Sequence, residues 1–328
     1  MPEDSRLVWQ RRLAPVLAPA SWVYGAAVRV RRLAYARGLL PTVRVDCPVI
    51  SVGSLVAGGT GKTPMTAYVA RRFGEHRVAV LSRGYGGSYK GRHQVTRDTP
   101  ASWAGDEPVL LTRTCAADVW VGRDRARLAQ ALADRYDLFV LDDGYQHVRL
   151  ERFLNLCLLP AEAPGRLLPA GLWREAPSAL SAADLLVALD QWPDWIGEWY
   201  EGPRIIVQLR QGPWQGPDGA SEPRGPVFAF CGVARPERFL GSLGALDVRG
   251  SLTWPDHHAY TPDDLRLLLR EARGQGAEAL VTTAKDAVRL SPTGLGLPLY
   301  WCDLDVHFLE GERDFATFLD SVALPPRS

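Results

Sequence analysis

Short apolar runs recur through the first two thirds of the chain, and segments with apolar residues at helical spacing separate them. Runs of this length are typical of strands buried on both faces of a parallel sheet. We predict strands at 49–52, 78–81, 118–121, 138–141, 154–159 and 185–187. Helices are predicted at 64–73, around 109–112 and at 123–135. This alternation predicts an α/β fold with a parallel, doubly wound sheet and helices on both faces.

A segment rich in glycine and proline, 211–226, interrupts this pattern. Its composition is typical of a linker or a long surface loop. Beyond it, strands are predicted at 227–230, 280–283 and 299–302, and helices at 236–243 and 262–274. We therefore divide the chain into an N-terminal helical segment (1–40), a larger sheet domain (41–215) and a smaller C-terminal α/β domain (216–328).

Apolar residues and arginines alternate at helical spacing in the N-terminal segment, which predicts an amphipathic helix. Its apolar positions are Trp22, Val23, Ala26, Val30 and Leu33. Two interpretations stay open: the helix packs on the protein's own core, or it lies at a membrane interface with its arginines facing lipid phosphates. The uncharged run at 13–28 contains two prolines and is shorter than the roughly 20 residues that a spanning helix needs.

Composition excludes several classes of protein. Hydrophobic residues make up 46% and charged residues 23% of the chain, as in an ordinary globular protein. The net charge of +1 provides no overall attraction to nucleic acid, so no nucleic-acid partner is expected. The five cysteines form no CxxC pair, which argues against a disulfide framework or a zinc site.

A glycine-rich segment lies between the first predicted strand and the first predicted helix of the sheet domain. It reads Val56-Ala57-Gly58-Gly59-Thr60-Gly61-Lys62-Thr63. Backbone N–H groups of such a loop, together with the helix N-terminus, bind phosphate oxygens. Lys62 is placed to reach the β- and γ-phosphates of a nucleotide, and Thr63 to ligate Mg²⁺. Val56 stands where the G-x-x-x-x-G-K-[ST] pattern has its first glycine, but the context still predicts a phosphate-binding loop.

Two pairs of acidic residues are candidates for the metal or for proton transfer. Asp142 and Asp143 end the predicted strand at 138–141, where a carboxylate that binds Mg²⁺ is found in such folds, although aspartate also ends strands in ordinary turns. Asp106 and Glu107 begin a predicted helix. They fit either an acidic first turn or a base and a metal ligand.

A pair of histidines follows Asp256 in a predicted turn before the helix at 262–274. Adjacent histidines in a loop are usually surface residues, but an aspartate beside a histidine also serves to orient a base. The residues alone leave both interpretations open for His257 and His258.

Nine segments of the chain, in order, resemble the tetraacyldisaccharide 4′-kinases, the lipid A 4′-kinases of Gram-negative bacteria. They are VGSLVAGGTGKTP (52–64), LSRGYGG (81–87), GDEP (105–108), VGRDR (121–125), LDDGYQH (141–147), GRLLPAGLWREA (165–176), FCGVARPERF (230–239), PDHH (255–258) and TTAKDAVR (282–289). LDDGYQH and GRLLPAG are the most specific. That family's loop also tends to lack the first glycine, so Val56 fits it. Ala176 replaces an expected proline, and Pro177 follows.

The resemblance implies a reaction and a location. ATP, with Mg²⁺, phosphorylates the 4′-hydroxyl of a tetraacylated glucosamine disaccharide 1-phosphate and gives lipid IVA and ADP. The fold implied is a P-loop NTPase-type sheet domain with a smaller C-terminal α/β domain. The N-terminal helix would hold the enzyme peripherally on the cytoplasmic face of the inner membrane.

The resemblance also implies roles for individual residues. Asp106 matches the family's proposed general base. His257, chosen over His258 because it directly follows Asp256, matches the partner of that base. Thr63, Glu107 and Asp142 would hold the metal, with Asp143 beside it and the substrate. The expected substrate contacts are Arg83, Arg123 (or its neighbour Arg125), Gln146 and His147.

Two rival functions stay open from the residues. The first is a P-loop GTPase or metallochaperone NTPase. Its guanine motif N-K-x-D is absent, and the nearest string is TAKD at 283–286. The second is a non-catalytic ATP-binding module at a membrane, which would not depend on Asp106 for any activity.

Overall fold

The computed structural model describes residues 5–290 and 295–324, so the first four residues of the predicted N-terminal segment lie outside it. Its helices are α1 (Ser5–Ala36), α2 (Lys62–Arg72), α3 (Ala101–Ala104), α4 (Asp106–Thr114), α5 (Arg125–Leu132), α6 (Pro236–Gly241), α7 (Pro262–Gly274), α8 (Ala284–Ala287) and α9 (Glu312–Asp320). Short 3₁₀ helices span Ala133–Arg135, Pro177–Ala182 and Asp194–Trp199.

The strands are β1 (Val49–Ser54), β2 (Val78–Ser82), β3 (Arg92–Val95), β4 (Asp118–Gly122), β5 (Leu138–Asp142), β6 (Leu154–Leu158), β7 (Leu185–Leu189), β8 (Arg204–Gly216), β9 (Gly219–Ala220), β10 (Val227–Cys231), β11 (Val248–Thr253), β12 (Ala279–Thr283) and β13 (Leu299–Glu310). Within the described residues they form one sheet in the order β11-β10-β12-β13-β8-β7-β6-β1-β5-β2-β4-β3, and β9 pairs with β8.

Most neighbouring strands are parallel, which confirms the predicted α/β fold. From β8 to β4, and again from β11 to β13, every pair along the order is parallel. The long β8–β13 pair is antiparallel and reverses the strand direction between the two halves of the sheet. Helices cover both faces: Val69 of α2 and Leu111 of α4 pack with Val140 on one face, and Leu128 of α5 packs with Leu141 on the other.

The predicted linker at 211–226 is wrong for its first half. Strand β8 continues to Gly216, and Gln215 pairs with Trp301 of β13. The pairing register shifts near Asp303, opposite Gly212 and its following proline. A bulge is a place where a strand tolerates proline and glycine, so composition here indicated a loop where the chain is paired. The boundary predicted at 215 falls inside β8. The division of the chain into domains remains a prediction.

Helix α1 attaches to the rest of the protein through small and polar residues. The hydroxyl of Ser21 donates to the carbonyl of Leu167 at 2.9 Å. A Cβ on Gly25 would lie 2.5 Å from the end of the Leu167 side chain, so glycine allows this approach without displacing that leucine. Arg32 makes two hydrogen bonds to the buried carboxylate of Glu175, at 2.7 and 2.9 Å. The helix is therefore anchored on the segment 165–176.

The opposite face of α1 presents apolar side chains to the surroundings. Trp22 is 82% exposed, Val23 72% and Val30 65%. The predicted apolar face therefore does not pack on the protein's own core. Across residues 5–290 and 295–324, no helix combines the length and the apolar character that crossing a bilayer requires.

Candidate active site

The phosphate-binding loop connects the end of β1 to the start of α2. Gly58 has φ 97° and Gly61 φ 79°, a left-handed backbone that favours glycine. Lys62 and Thr63 are the first two residues of α2, where backbone N–H groups have no partner within the helix. A Cβ on Gly58 or Gly59 would meet nothing within 4 Å, so the loop is open on this side. The arrangement is that of an anion site.

The structure explains why valine stands at the position of the missing glycine. Val56 is buried, packs with Trp173 and makes an isolated bridge to it. Its φ is not positive, so this position does not need glycine. The N–H of the next residue, Ala57, donates to the carbonyl of Leu172 at 2.9 Å. This half of the loop is thus fixed by the segment 165–176.

The ammonium group of Lys62 lies over the loop. Its Nζ donates to the carbonyl of Gly58 at 3.3 Å and to the hydroxyl of Thr60 at 3.4 Å. It is 3.8 Å from Oδ1 of Asp143. The ammonium group of Lys62 therefore lies between the loop and the aspartate that follows β5, Asp143.

Asp142 is a buried carboxylate at the end of β5, between β1 and β2. It accepts hydrogen bonds from Ser82 at 3.0 Å and from Thr66 at 3.4 Å. Burial, together with repulsion from Glu107 and Asp143, raises the pKa of Asp142 to about 7. A carboxylate in such surroundings is stabilised in its charged form by a nearby cation.

Asp143 turns its carboxylate toward Lys62 from a left-handed backbone, with φ 50°. Its Oδ2 accepts a hydrogen bond from Arg174 at 2.6 Å. Its Oδ1 is buried and, within the described residues, has no hydrogen-bond partner. Burial opposes ionisation, but Lys62 and Arg174 outweigh it and hold the pKa of Asp143 below its usual value. Uncommon backbone conformations of this kind are concentrated at functional sites.

The donors around this acidic end fit Mg²⁺ only in company with phosphate. Within the described ranges, no cluster of three or more His, Cys, Asp or Glu side chains is arranged to hold a metal by itself. Mg²⁺ in kinases typically takes one or two carboxylates and completes its shell with phosphate oxygens and water. The raised pKa of Asp142 and the unpaired Oδ1 of Asp143 are the features such a cation would satisfy.

Asp106 and His257 meet across the two halves of the sheet. Nδ1 of His257 lies 3.0 Å from Oδ2 of Asp106, the first residue of α4. His257 has a left-handed backbone, with φ 61°. His258 instead lies 3.0 Å from Oδ2 of Asp264. The pairing expected for His257 is therefore present in the geometry, and His258 belongs to a separate contact at the start of α7.

Two basic residues near this pair were missed in the sequence. Nε of Arg289 lies 2.8 Å from Oδ2 of Asp106, and its Nη2 lies 2.7 Å from the same atom. Nζ of Lys285 lies 3.3 Å from Nε2 of His257 and 2.9 Å from Oδ1 of Asp256. Both belong to the TTAKDAVR segment, but nothing in the local pattern indicates where their side chains point.

Two arginines contact the aspartates at the end of β5: Arg174, which was not predicted as a site residue, and Arg125, which was predicted as an alternative to Arg123. Arg174 joins Asp143 to Gln146, whose Oε1 lies 3.3 Å from it. Arg125, which is buried, donates to the backbone carbonyls of Asp142 at 2.6 Å and of Asp143 at 3.1 Å. Burial lowers the pKa of the Arg125 guanidinium to about 10. In the sequence, only its position in the family segment GRLLPAGLWREA (165–176) could have indicated Arg174 as a site residue.

The four expected substrate contacts differ in their surroundings. Arg83 and Arg123 are exposed and follow the carboxyl ends of β2 and β4. Gln146 donates from Nε2 to the carbonyl of Ser54 at 2.9 Å, which fixes it beside the loop. Nε2 of His147 is buried and has no partner within the described residues, and burial lowers its pKa to about 3. His147 is therefore neutral at physiological pH.

Gly105 sets the position of Asp106. Its φ is 95°, and a Cβ would lie 2.5 Å from the carbonyl oxygen of Tyr85 in the SRGYGG loop. We expect Gly105→Ala to destabilise the protein by about 2 kcal/mol or more and to lower kcat about 10-fold, because Asp106 is displaced. Thermal unfolding and initial rates measure the two effects. Gly241→Ala is the control, since a Cβ there meets nothing within 4 Å. Equal behaviour of the two variants would contradict this prediction.

The chain is similar to known proteins along almost its whole length. A family model described as tetraacyldisaccharide-1-P 4'-kinase matches residues 13–323. A tetraacyldisaccharide 4'-kinase of Geobacter metallireducens is 38% identical over 340 residues, covering 95% of this chain and 99% of that protein. A second, from Geobacter sulfurreducens, is 41% identical and covers 92% of this chain and 91% of that protein.

A solved structure has a similar fold. It is a crystal structure of LpxK from Aquifex aeolicus in complex with ATP, with a TM-score of 0.74 and 27% sequence identity. The similarity covers 95% of this chain and 100% of that one.

Proposed function

The chain belongs to the tetraacyldisaccharide 4′-kinase family, and from that membership we propose how its site works. It is an ATP-dependent kinase of lipid A biosynthesis, which phosphorylates the 4′-hydroxyl of tetraacyldisaccharide 1-phosphate and yields lipid IVA. One observation supports the proposed site most strongly. Asp106 and His257 are in contact, beside the glycine-rich loop and the two aspartates at the end of β5. A passive binding module has no need of such a pair.

The ATP half of the proposed site consists of the loop and the end of β5. Backbone N–H groups from Gly58 to Thr63 bind the β- and γ-phosphates, and Lys62 neutralises the charge that develops between them. Thr63, Asp142 and Glu107 would hold Mg²⁺, which when bound neutralises charge on the same phosphates. Asp143 keeps Lys62 in place, since the two groups are 3.8 Å apart.

The acceptor half consists of Asp106 and His257. We assign Asp106 as the base that accepts the proton of the 4′-hydroxyl, and His257 as the group that orients it. Phosphoryl transfer has a loose transition state, so the base acts late and positioning contributes most. Arg83, Arg123, Gln146 and His147 are our candidates for contacts with the sugar and its 1-phosphate. Arg174, held by Asp143 and Gln146, joins them.

Incubation with γ-labelled ATP and the disaccharide 1-phosphate tests the reaction. We expect a labelled bis-phosphorylated lipid that forms with ATP. The rival function, a GTPase or metallochaperone NTPase, is tested in the same experiment. Hydrolysis and phosphate transfer are measured with ATP, GTP, CTP and UTP in turn. No labelled lipid, or a strong preference for GTP, would overturn the assignment.

We also propose that α1 holds the protein on the cytoplasmic face of the inner membrane. The support is its exposed apolar face, with arginines beside it, while its opposite face is fixed to the protein by Ser21 and Arg32. Apolar side chains enter the headgroup boundary, and arginines meet anionic lipid. The acyl chains of the substrate then stay in the bilayer while its sugar reaches the site. The division into segments 1–40, 41–215 and 216–328 remains part of this proposal.

The double variant Trp22→Ser/Val30→Ser is expected to bind vesicles of phosphatidylethanolamine and phosphatidylglycerol about 10-fold more weakly, because two exposed apolar side chains are lost. Co-sedimentation measures the bound fraction. Leu304→Ser/Leu309→Ser is the control, since those leucines are 44% and 45% exposed on β13. A chain without residues 1–40 should also bind vesicles weakly. That truncation removes Arg32 and leaves the buried Glu175 carboxylate without its partner, so the double variant is the cleaner test. Unchanged binding of the Trp22/Val30 variant would reject the interfacial helix.

A further inference from the structure

Arg289 is buried between the two halves of the sheet, and all of its hydrogen-bonding groups are engaged. Only 6% of its side chain is exposed. Nη1 donates to Oδ1 of Asp286 at 3.0 Å and to the carbonyl of Gly232 at 3.2 Å. Nε and Nη2 point the other way, to Oδ2 of Asp106. A guanidinium fixed by acceptors on both sides loses little further freedom when it orients a carboxylate.

The anchor of Arg289 is itself rigid. Asp286 is fully buried and accepts hydrogen bonds from the backbone N–H of Gly232 at 3.0 Å, the hydroxyl of Tyr260 at 3.0 Å and that of Thr283 at 2.7 Å. A buried carboxylate that accepts this many hydrogen bonds holds its partners in one geometry. The Arg289 side chain is therefore a fixed feature of the C-terminal half.

The contacts on Asp106 fall on a single oxygen. Nδ1 of His257, Nε of Arg289 and Nη2 of Arg289 all lie within 3.0 Å of Oδ2. Among the described residues, the hydrogen bonds to this carboxylate are made to Oδ2, and none is made to Oδ1. Nζ of Lys285 lies 3.3 Å from Nε2 of His257, and Nη2 of Arg289 lies 3.4 Å from Nδ1. With the ring proton on Nδ1, His257 donates to Asp106 and its Nε2 accepts from Lys285. Oδ2 is thus saturated by donors, and Oδ1 is left to face an acceptor hydroxyl.

We propose that Arg289 is a positioning residue for phosphoryl transfer, which fixes the carboxylate of Asp106 so that Oδ1 meets the acceptor hydroxyl. This inference rests on the proposed function of Asp106 as the base. It adds a third group to the Asp106–His257 pair, supplied by a segment far along the chain. Asp106 belongs to α4 in the N-terminal half of the sheet, and Arg289 follows α8 in the C-terminal half. The orientation of the Asp106 carboxylate therefore depends on contact between the two halves.

A double-mutant cycle with Asp106 tests the proposal. We expect Arg289→Ala to lower kcat by about 10- to 100-fold with little change in the KM for ATP, the range for coupled neighbours in contact. In the Asp106→Asn background, the same change should lower the residual kcat less than about 3-fold, because Arg289 acts through the carboxylate. A purely structural role would lower the rate equally in both backgrounds.

Two further variants keep the test decisive. Arg289→Lys retains the positive charge and is expected to recover part of the loss, so it replaces Arg289→Ala in the cycle if that variant does not fold. Arg266→Ala, an arginine 75% exposed on α7, is the matched control and should leave kcat unchanged. Thermal unfolding of each variant separates lost stability from lost rate.

The outcomes of this proposal differ from those of the proposed function. Full activity of Arg289→Ala, or an equal loss in both backgrounds, would overturn the role of Arg289 and leave the kinase assignment standing. Absence of lipid phosphorylation by the unaltered protein would overturn the function itself.

Discussion

Replacing Lys62 with alanine is expected to lower phosphate transfer by about 10³-fold or more, which in most assays abolishes it. Its ammonium group is within 3.4 Å of Gly58 and Thr60 in the loop, where the β- and γ-phosphates would bind. Charge develops on the bridging and γ-oxygens as the bond to the leaving ADP breaks. Without Lys62, this charge loses its only lysine partner in the loop, and Asp143 loses the cation beside its unpaired Oδ1.

Two control variants define what the Lys62→Ala result means. Lys90→Ala removes an exposed lysine of the neighbouring glycine-rich loop and should leave kcat unchanged. Lys62→Arg retains the charge with a different shape and should recover only part of the rate, because guanidinium and ammonium groups are not interchangeable. Steady-state rates with labelled ATP and thermal unfolding are measured for all three. A Lys62→Ala enzyme that transfers phosphate at the unaltered rate would overturn the assignment of the loop.

The second large effect is expected at Asp106. Asp106→Ala should lower kcat by about 10²- to 10⁴-fold, the contribution of a positioned base. The carboxylate is held between His257 and Arg289, and no other acid within the described residues contacts His257 Nδ1. The variant also leaves Nε and Nη2 of the buried Arg289 without the carboxylate that they contact, so Asp106→Asn, which keeps the shape, is measured beside it. A non-catalytic ATP-binding module would lose nothing on either change.

A matched control separates catalysis from helix stabilisation at Asp106. Asp263 is also an acidic residue in the first turn of a helix, α7, and its side chain is 84% exposed. Asp263→Ala removes the favourable interaction with the helix dipole, about 0.3–1 kcal/mol, but touches no part of the proposed site. It should lower the unfolding temperature slightly and leave kcat unchanged. Equal rates for Asp106→Ala and Asp263→Ala would reject Asp106 as the base.

The location of the ATP half could be predicted from the sequence because its parts are local. A strand, a glycine-rich turn and a helix N-terminus are consecutive in the chain, and their geometry follows from backbone preferences. Asp142 and Asp143 were predicted as site residues because they end an apolar strand, where a carboxylate that binds Mg²⁺ is found in such folds. The apolar runs likewise identified the strands that enclose them. Composition failed at 211–216, the first part of the predicted linker, where glycine and proline occupy a bulge in β8.

The acceptor half of the site could not be predicted from local sequence patterns, because its residues meet only in the tertiary structure. Asp106 is 151 residues from His257 and 183 from Arg289, so no local pattern relates them. Their meeting depends on how the two halves of the sheet pack together, and the end of β8, which pairs with β13 between those halves, was interpreted from composition as a linker. The same holds for Arg174, which reaches Asp143 across 31 residues. Among these residues, only the resemblance of short segments to a family paired His257 with Asp106.

The sequence by itself determined the parallel α/β fold, the glycine-rich turn between β1 and α2, and the position of Asp142 at the end of β5, because these follow from short-range periodicity and backbone sterics. The tertiary structure decided which histidine faces Asp106, and it brought Arg289 and Lys285 to that pair. It also decided that the apolar face of α1 points away from the protein, since Ser21, Gly25 and Arg32 dock the helix by its other face. Such contacts depend on how distant segments pack, and local propensity does not encode that.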